Sequence, residues 1–324
     1  MLPSPPRFLP TFQLTRMSLA LGALADVWFV ILYTREDARY NHVPAYEMSL
    51  PISLAVAIVL TVGLFAFAAT LNDLLDSRHD STFSPDRPIP SGRIRVGQAV
   101  VIAIGALLSA LAAAIPFGTL ALVFAILAAT GILFYDAVGK HIPALGVLLA
   151  GLVHVAHMMI PNYDLTFTPP VWIIFTHATV IAIMVHVIEG KRPLFRRWTV
   201  AWTALGWLAW SAVILGLGMV RGPDAGFVPS GFGVDTAIWP AIAGLVFVAI
   251  MWRKLSRTSG QAGAEKARRY GAAWHAVYAA AWFAGLARWT EAVAMGVLAI
   301  AGLIVMTLLR EVSVDDPGLL GYRA

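Results

Sequence analysis

The sequence predicts an all-α, polytopic membrane bundle, and three observations carry that expectation. Hydrophobic residues make up 59% of the 324 and charged residues only 13%, with a mean hydropathy of +0.76; a soluble domain carries about a quarter charged residues. Apolar runs long enough to cross a bilayer as helices recur from end to end. The alternating ten-residue amphipathic segments of a membrane β-barrel are missing. Cysteine is absent, which excludes disulfides, thiolate metal sites and cysteine nucleophiles. The net charge of +5 needs no nucleic acid to explain it, because basic residues in loops set membrane orientation.

Taken in order, residues 1–15 read as an irregular, Pro-rich lead containing Arg7. The apolar run at about 17–34 has the small residues of a signal peptide in Ala20, Ala23 and Ala25. Its length, Asp26, Trp28 and the missing basic n-region make it a retained first span. Further spans fall at about 48–71, 97–115, 117–135, 142–160, 171–188, 198–220, 236–253, 271–287 and 290–309. The last two are joined only by Arg288-Trp289-Thr290, so the pattern allows ten spans, or nine with one re-entrant or broken helix. Polar linkers at 72–96 and 254–270 are too short to fold alone, and the chain reads as one integral-membrane domain over 1–324. Charged loops after spans two and six divide it into comparable halves.

Basic residues set the orientation. Loops after spans two, four, six and eight hold fifteen Lys and Arg, from Arg78 to Arg269; the opposite loops hold Arg35, Arg39, Arg221 and Arg288. The asymmetry predicts a cytoplasmic N-terminus and cytoplasmic loops after the even-numbered spans.

The densest charge lies in one of those loops. Asn72-Asp73-Leu74-Leu75-Asp76-Ser77-Arg78-His79-Asp80 is followed by Asp86-Arg87-Pro88-Ile89-Pro90-Ser91-Gly92-Arg93. On a helix Asp73, Asp76 and Asp80 fall at i, i+3 and i+7, on one face. Three carboxylates converging there call for a cation. Oxygen-only ligands favour Mg²⁺, commonly completed by substrate phosphates, and Asn72 can add an amide oxygen. Arg78, Arg87 and Arg93 suit phosphate oxygens. The stretch therefore reads as a magnesium-diphosphate site, against the plainer reading of a solvated loop charged for topology.

The run Asn72-Asp73-x-x-Asp76-x-x-x-Asp80, followed by Arg87-Pro88-Ile89-Pro90-Ser91-Gly92, resembles the first aspartate-rich motif of UbiA-type intramembrane prenyltransferases. The resemblance implies a helical bundle around a central cavity with a cytoplasmic cap. It also implies transfer of a polyprenyl group from a Mg²⁺-bound prenyl diphosphate to a lipophilic, often aromatic, acceptor in the membrane. No obligate protein partner is evident. At Tyr135-Asp136-Ala137-Val138-Gly139-Lys140 the family usually has a Tyr and a basic residue, which casts Lys140 as a diphosphate contact and catalytic residue beside Asp73 and Asp76.

Where the family carries a second aspartate-rich motif, this chain reads His186-Val187-Ile188-Glu189-Gly190-Lys191-Arg192-Pro193. Glu189 is the single acidic residue there, with His186 one turn earlier on the same face. The expectation for this degenerate motif, 186–192, is Glu189 as metal ligand and catalytic carboxylate, with Lys191 and Arg192 neutralising diphosphate charge. Asp26, an ionisable group inside span one, is expected to face a cavity or a partner and is counted with the catalytic residues. Other readings remain open: a UbiA-type terpene cyclase acting on the diphosphate alone, a non-catalytic or transport relative, and a haem- or metal-binding membrane protein suggested by His154, His157, His177 and His186.

Overall fold

The computed structural model describes residues 20–221 and 232–315, with side chains as far as Thr307, and among these every regular element is helical. The Pro-rich lead lies outside the described residues. The longer helices are α1 (Ala20–Arg35), α2 (Leu50–Leu75), α3 (Ser77–Phe83), α4 (Val96–Ala114), α5 (Thr119–Ala137), α6 (Pro143–Met158), α7 (Pro169–Ile188), α8 (Arg197–Arg221), α9 (Val234–Leu255), α10 (Gly260–Gly285) and α11 (Trp289–Asp315). Seven are long and apolar enough to cross a membrane, and α6 is a shorter apolar helix. The protein is an integral membrane protein with a helical bundle fold. Proline sits in the first turns of α2, α6 and α7, where its missing N–H would have no helical partner anyway.

Packing makes a ring. Neighbouring contacts run α1 to α2, α2 to α5, α5 to α6, α6 to α7, α7 to α10 and α10 back to α1, and α1 also touches α6 across the middle. That contact divides the ring into two four-helix groups sharing α1 and α6. One contains α2 and α5, the other α7 and α10. The remaining helices are outer cladding: α4 lies along α2, α8 on α6 and α7, α9 on α10, and α11 on α10 and α1.

The loops after α2, α5, α7 and α9 share one end of the bundle, the basic end. At the opposite end the four basic residues are occupied locally. Arg35 donates to the carbonyls of Tyr46 (3.1 Å) and Met48, and Arg39 pairs with Asp37 at 2.6 Å. Arg221 donates to the Tyr163 carbonyl (2.5 Å), and Arg288 pairs with Glu291 at 2.6 Å. These arginines are structural ties.

One linker differs from expectation. Residues 254–270 are not a loop: α9 runs to Leu255 and α10 begins at Gly260. Gln261 to Arg269 is rich in Ala, Glu, Lys and Arg, all good helix formers, and Glu265 pairs with Arg269 one turn on (3.8 Å). A helix of 26 residues is ~39 Å long, so α10 projects beyond its apolar part and carries charge to the basic end.

The helices α1 and α10 approach closely at Gly22. A Cβ on Gly22 would overlap the Ala272 carbonyl oxygen, which is backbone and cannot turn aside. Gly22→Val is therefore expected to cost about 1–3 kcal/mol, the usual range for overpacking. It should lower the temperature at which the detergent-purified protein loses its monodisperse elution peak. An unchanged temperature would show that α1 and α10 are not held this closely.

Candidate functional site

The first half of the site is built where α2 ends. Asp76 is the residue between α2 and α3, still in a helical conformation (φ −87°, ψ −2°). Its N–H bonds to Asn72 O (2.9 Å), and the Asp80 N–H bonds to Asp76 O (2.8 Å). The helical path thus continues through the motif. Asp73 and Asp80 are buried, at 3% and 4% exposure, and Arg87 joins them: its Nη1 lies 2.5 Å from Asp80 Oδ2 and 3.5 Å from Asp73 Oδ1. The loop that delivers Arg87 is pinned by Ile89 and Ile94, which pack with Ala99 against Leu74 and Ile102. It is closed by hydrogen bonds from Ile94 N–H to Pro88 O (2.9 Å) and from Ser91 Oγ to Arg87 O (2.6 Å).

Asp76 faces Lys140 instead, Nζ to Oδ1 at 2.5 Å. Lys140 lies in the short turn between α5 and α6. That turn settles onto α6 because Gly146 has no side chain: a Cβ there would sit 2.6 Å from Gly139 O. Asn72 makes a long contact to Asp73 Oδ1 (3.5 Å). The other two arginines lie at the surface. Arg78 is exposed on α3, and Arg93 braces its own loop, donating to Ser91 Oγ (3.1 Å) and the Asp86 carbonyl.

The second half forms at the end of α7. Glu189 follows its last residue and accepts from Arg268 of α10 and from Lys191 at 3.0 Å. Burial alone would raise the carboxyl's pKa, but the charges of Arg268 and Lys191 outweigh it and hold Glu189 below the usual range, so it stays ionised. His186 does not turn to a shared ligand position with Glu189. It is buried, bonds through Nε2 to Pro193 O (2.9 Å) and packs on Phe195, so it shapes the loop that carries Lys191. Arg192 is exposed. The two halves meet around Tyr135, on which the charges of Arg268, Glu189 and Asp76 all act. Asp73, Asp76 and Asp80 pair with Arg87 and Lys140 on one side and Glu189 with Arg268 and Lys191 on the other, with the buried Asp136 adding a further charge beside Tyr135.

Asp26 stands apart from both. Its carboxylate lies among histidines in the ring, bonded to His275 Nδ1 (2.9 Å) and His154 Nδ1 (3.2 Å). Two helices measure how deep that is. His157, of the same histidine group, bonds to Thr61 of α2 (3.1 Å), ~18 Å along the helix from Asp73, and His177 of α7 is ~18 Å from Glu189 at the helical rise of 1.5 Å per residue. Sequence reasoning missed Arg268 and His275. Arg268 was hidden inside a linker taken for a loop, although helix-forming residues around it signalled otherwise. His275 had no local signal, because only the packing of α10 on α1 brings it to Asp26.

An open, mostly apolar groove of about 820 Å³ lies between α7 and α9, lined from Trp172 to Met184 and from Pro240 to Ser256, with His177 and Tyr278 of α10 on its wall.

The chain belongs to the UbiA prenyltransferase family, whose sequence model matches residues 43–277. A digeranylgeranylglyceryl phosphate synthase of Saccharolobus solfataricus is 38% identical over 77 residues, 24% of this chain and 27% of that one. The chain aligns with 27% to 41% of the length of the curated relatives it matches. Among solved structures, one of a digeranylgeranylglyceryl phosphate synthase in membranes superposes with a TM-score of 0.56 at 18% identity, covering 86% of this chain and 98% of the other. A UbiA homolog from Archaeoglobus fulgidus bound to DMAPP and Mg²⁺ gives 0.54 at 16% identity, covering 86% and 99%. At these identities the likeness is one of fold.

Removing Arg87 takes away the guanidinium shared by two buried carboxylates. Arg87→Met is expected to destabilise the protein by about 1–3 kcal/mol, the usual cost of losing a charged hydrogen-bond partner. Adding Asp80→Asn should restore part of that loss. Thermal midpoints of the single and double variants check it, and a double variant less stable than the single one contradicts the assignment.

Proposed function

We propose that the protein transfers a polyprenyl group from a prenyl diphosphate to a lipophilic acceptor within the membrane, in a Mg²⁺-dependent reaction. The observation that carries this reading is the acidic cluster of Asp73, Asp76 and Asp80, held by Arg87 and Lys140 opposite the basic Arg268–Glu189–Lys191 group. The donor chemistry suits the ion, hard carboxylate oxygens with an amide nearby on Asn72, although Asp73 and Asp80 share Arg87 while Asp76 turns to Lys140, so the three have to be drawn together for an ion to sit among them. Bound there, Mg²⁺ supplies positive charge to the diphosphate as it departs. The A. fulgidus homolog bound to DMAPP and Mg²⁺ supports the same pairing of ion and ligand class.

The chain's own residues then divide the work. Lys140 and Arg87 hold diphosphate oxygens on the acidic side, and Arg268, Lys191 and Arg192 meet negative charge from the other. Fixed cations aimed at developing charge are usually the largest source of catalysis. The apolar ring keeps water from the allylic cation. Glu189 is a weak base while ion-paired, which suits it to take the proton from a cationic prenyl–acceptor adduct, a strong acid. The groove beside α7 supports a lipophilic acceptor or a long prenyl chain: Trp172 and Met184, both on its wall, are ~18 Å apart along the helix. An aromatic ring is the acceptor class that the family resemblance favours, and the digeranylgeranylglyceryl phosphate synthases among the relatives favour a glycerophosphate lipid. The charge asymmetry supports a cytoplasmic site and a cytoplasmic N-terminus.

Membranes containing the protein are incubated with a panel of prenyl diphosphates, with and without each acceptor class, and products identified by mass. Asp76→Asn should lower diphosphate release by ~10²–10³-fold, the scale of losing one preorganised electrostatic contact, and EDTA should abolish release until Mg²⁺ is restored. Wild-type release rates in the Asp76→Asn protein would sink the reading. A prenyl product formed without any acceptor would instead point to a cyclase.

A further inference from the structure

The histidine group at the centre of the ring is not needed by the diphosphate chemistry ~18 Å away, yet it is elaborate. Asp26 of α1 is 2% exposed. Both of its oxygens lie 2.9 Å from Nδ1 of His275 on α10, and Oδ2 lies 3.2 Å from Nδ1 of His154 on α6. One ligand atom from each of the three residues falls within 4.8 Å of the others. The imidazoles lean on each other, with ring centroids 4.8 Å apart, and His177 of α7 sets its edge against His275 at 5.3 Å. His177 is itself held by a hydrogen bond between Nε2 and Gly271 O (3.0 Å). His157, one turn from His154, is buried and its Nδ1 has no hydrogen-bond partner.

Charge is the difficulty this arrangement has to solve. A carboxylate in the interior of a membrane protein is costly without a counter-charge. Among the described residues Asp26 pairs with imidazoles, not with Lys or Arg. Two neutral imidazoles satisfy its hydrogen bonds but leave its negative charge standing. Two nitrogens and one carboxylate oxygen from three helices are the donors that Zn²⁺ and its first-row neighbours prefer, whereas Mg²⁺ prefers oxygen alone. The free volume beside Asp26 and His275, about 10 Å³ and not lined by His154, is far too small for a porphyrin. His154 is partly exposed, with 30% of its side chain accessible, so one side of the group is open for entry and for a further ligand.

We propose that Asp26, His154 and His275 form a binding site for a divalent transition-metal ion of the Zn²⁺ class, separate from the carboxylates at the basic end. The ion more than offsets the buried negative charge, leaving room for an anionic further ligand on the open side, and ties α1, α6 and α10 together at the point where the two four-helix groups share a wall. His177 packs against the ligand His275 and fixes its ring orientation, as outer partners of metal-bound histidines do. Any proton shared between Asp26 and the imidazoles leaves as the metal enters.

The test uses the full chain purified in detergent, stripped with EDTA and returned to buffer containing excess Mg²⁺, so that the carboxylates at the basic end are already served. Co²⁺ is then titrated as the spectroscopic probe, and Zn²⁺ is added to displace it. One Co²⁺ per chain is expected, with visible absorption that Zn²⁺ bleaches. His154→Gln and His275→Gln should each lose that absorption by at least tenfold in affinity, and Asp76→Asn should keep it. Retention of the wild-type elution volume shows that a variant has folded; the partly exposed His154 makes its variant the safer of the two. The metal content of the untreated wild-type protein, measured by atomic emission, needs no variant. The proposal is overturned by the absence of both a Co²⁺ band and bound zinc in the wild type, the result a single trapped water would give. It is equally overturned by a band that survives both histidine changes. Neither outcome depends on prenyl transfer, so the site and the catalytic reading stand or fall separately.

Discussion

The bundle is arranged around one expensive group, the carboxylate of Asp26. In the apolar interior a charge has to be met by partners delivered from other elements, and here they come from α6 and α10. That requirement brings α1 against α6 across the ring and α1 against α10 along Gly22. The shared wall α1–α6 then exists, and two four-helix groups can face each other at the basic end. Apolar packing alone would not select this geometry, because lipid is as apolar as the helices and offers no hydrophobic drive to association. Hydrogen bonds and close approach have to do it. Thr61 with His157 between α2 and α6, and His177 with Gly271 between α7 and α10, repeat the same device once in each group.

With the wall in place, the ends of α2 and α7 meet as unlike halves. On the α2 side the helical path through Asp76 sets three carboxylates, and the loop pinned by Ile89 and Ile94 returns Arg87 to two of them. On the α7 side one carboxylate is outweighed by two cations, one of them brought by the long α10. Opposite charge facing opposite charge is a stable resting arrangement. It also leaves both signs exchangeable when a charged ligand arrives, since each ion pair can be traded for a ligand contact of the same sign.

Much of this was legible from residue order. The apolar runs fall on the observed helices, seven of which are long and apolar enough to cross a membrane. The largest difference is at α10, where polarity points to a loop and the helix propensity of Gln261 to Arg269 prevails. The acidic half was legible because its residues are local: Asp73, Asp76 and Asp80 declare themselves by spacing and Arg87 by composition, while Lys140 came through the family resemblance. Arg78, Arg93 and Arg192 carried the same composition and turned out exposed, since charge in a loop says nothing about which way the loop turns. The histidine centre was only half legible. Asp26 and His154 were visible as ionisable groups in apolar runs, but their meeting spans 128 residues and that with His275 spans 249. Contacts at such separations belong to packing, not to pattern.

The departure at Glu189 gains a physical reason from the same helix that was misread. A second aspartate-rich motif would place several carboxylates at the end of α7, directly opposite three others, and such a site needs cations to exist at all. Here α10 extends past its apolar part and supplies Arg268 to that place. A protein that brings a fixed guanidinium there has less need of carboxylates to recruit a mobile cation. Arginine also keeps its charge at every physiological pH and meets phosphate oxygens in a bidentate fork. The charge that faces the acidic half is in this way built into α10.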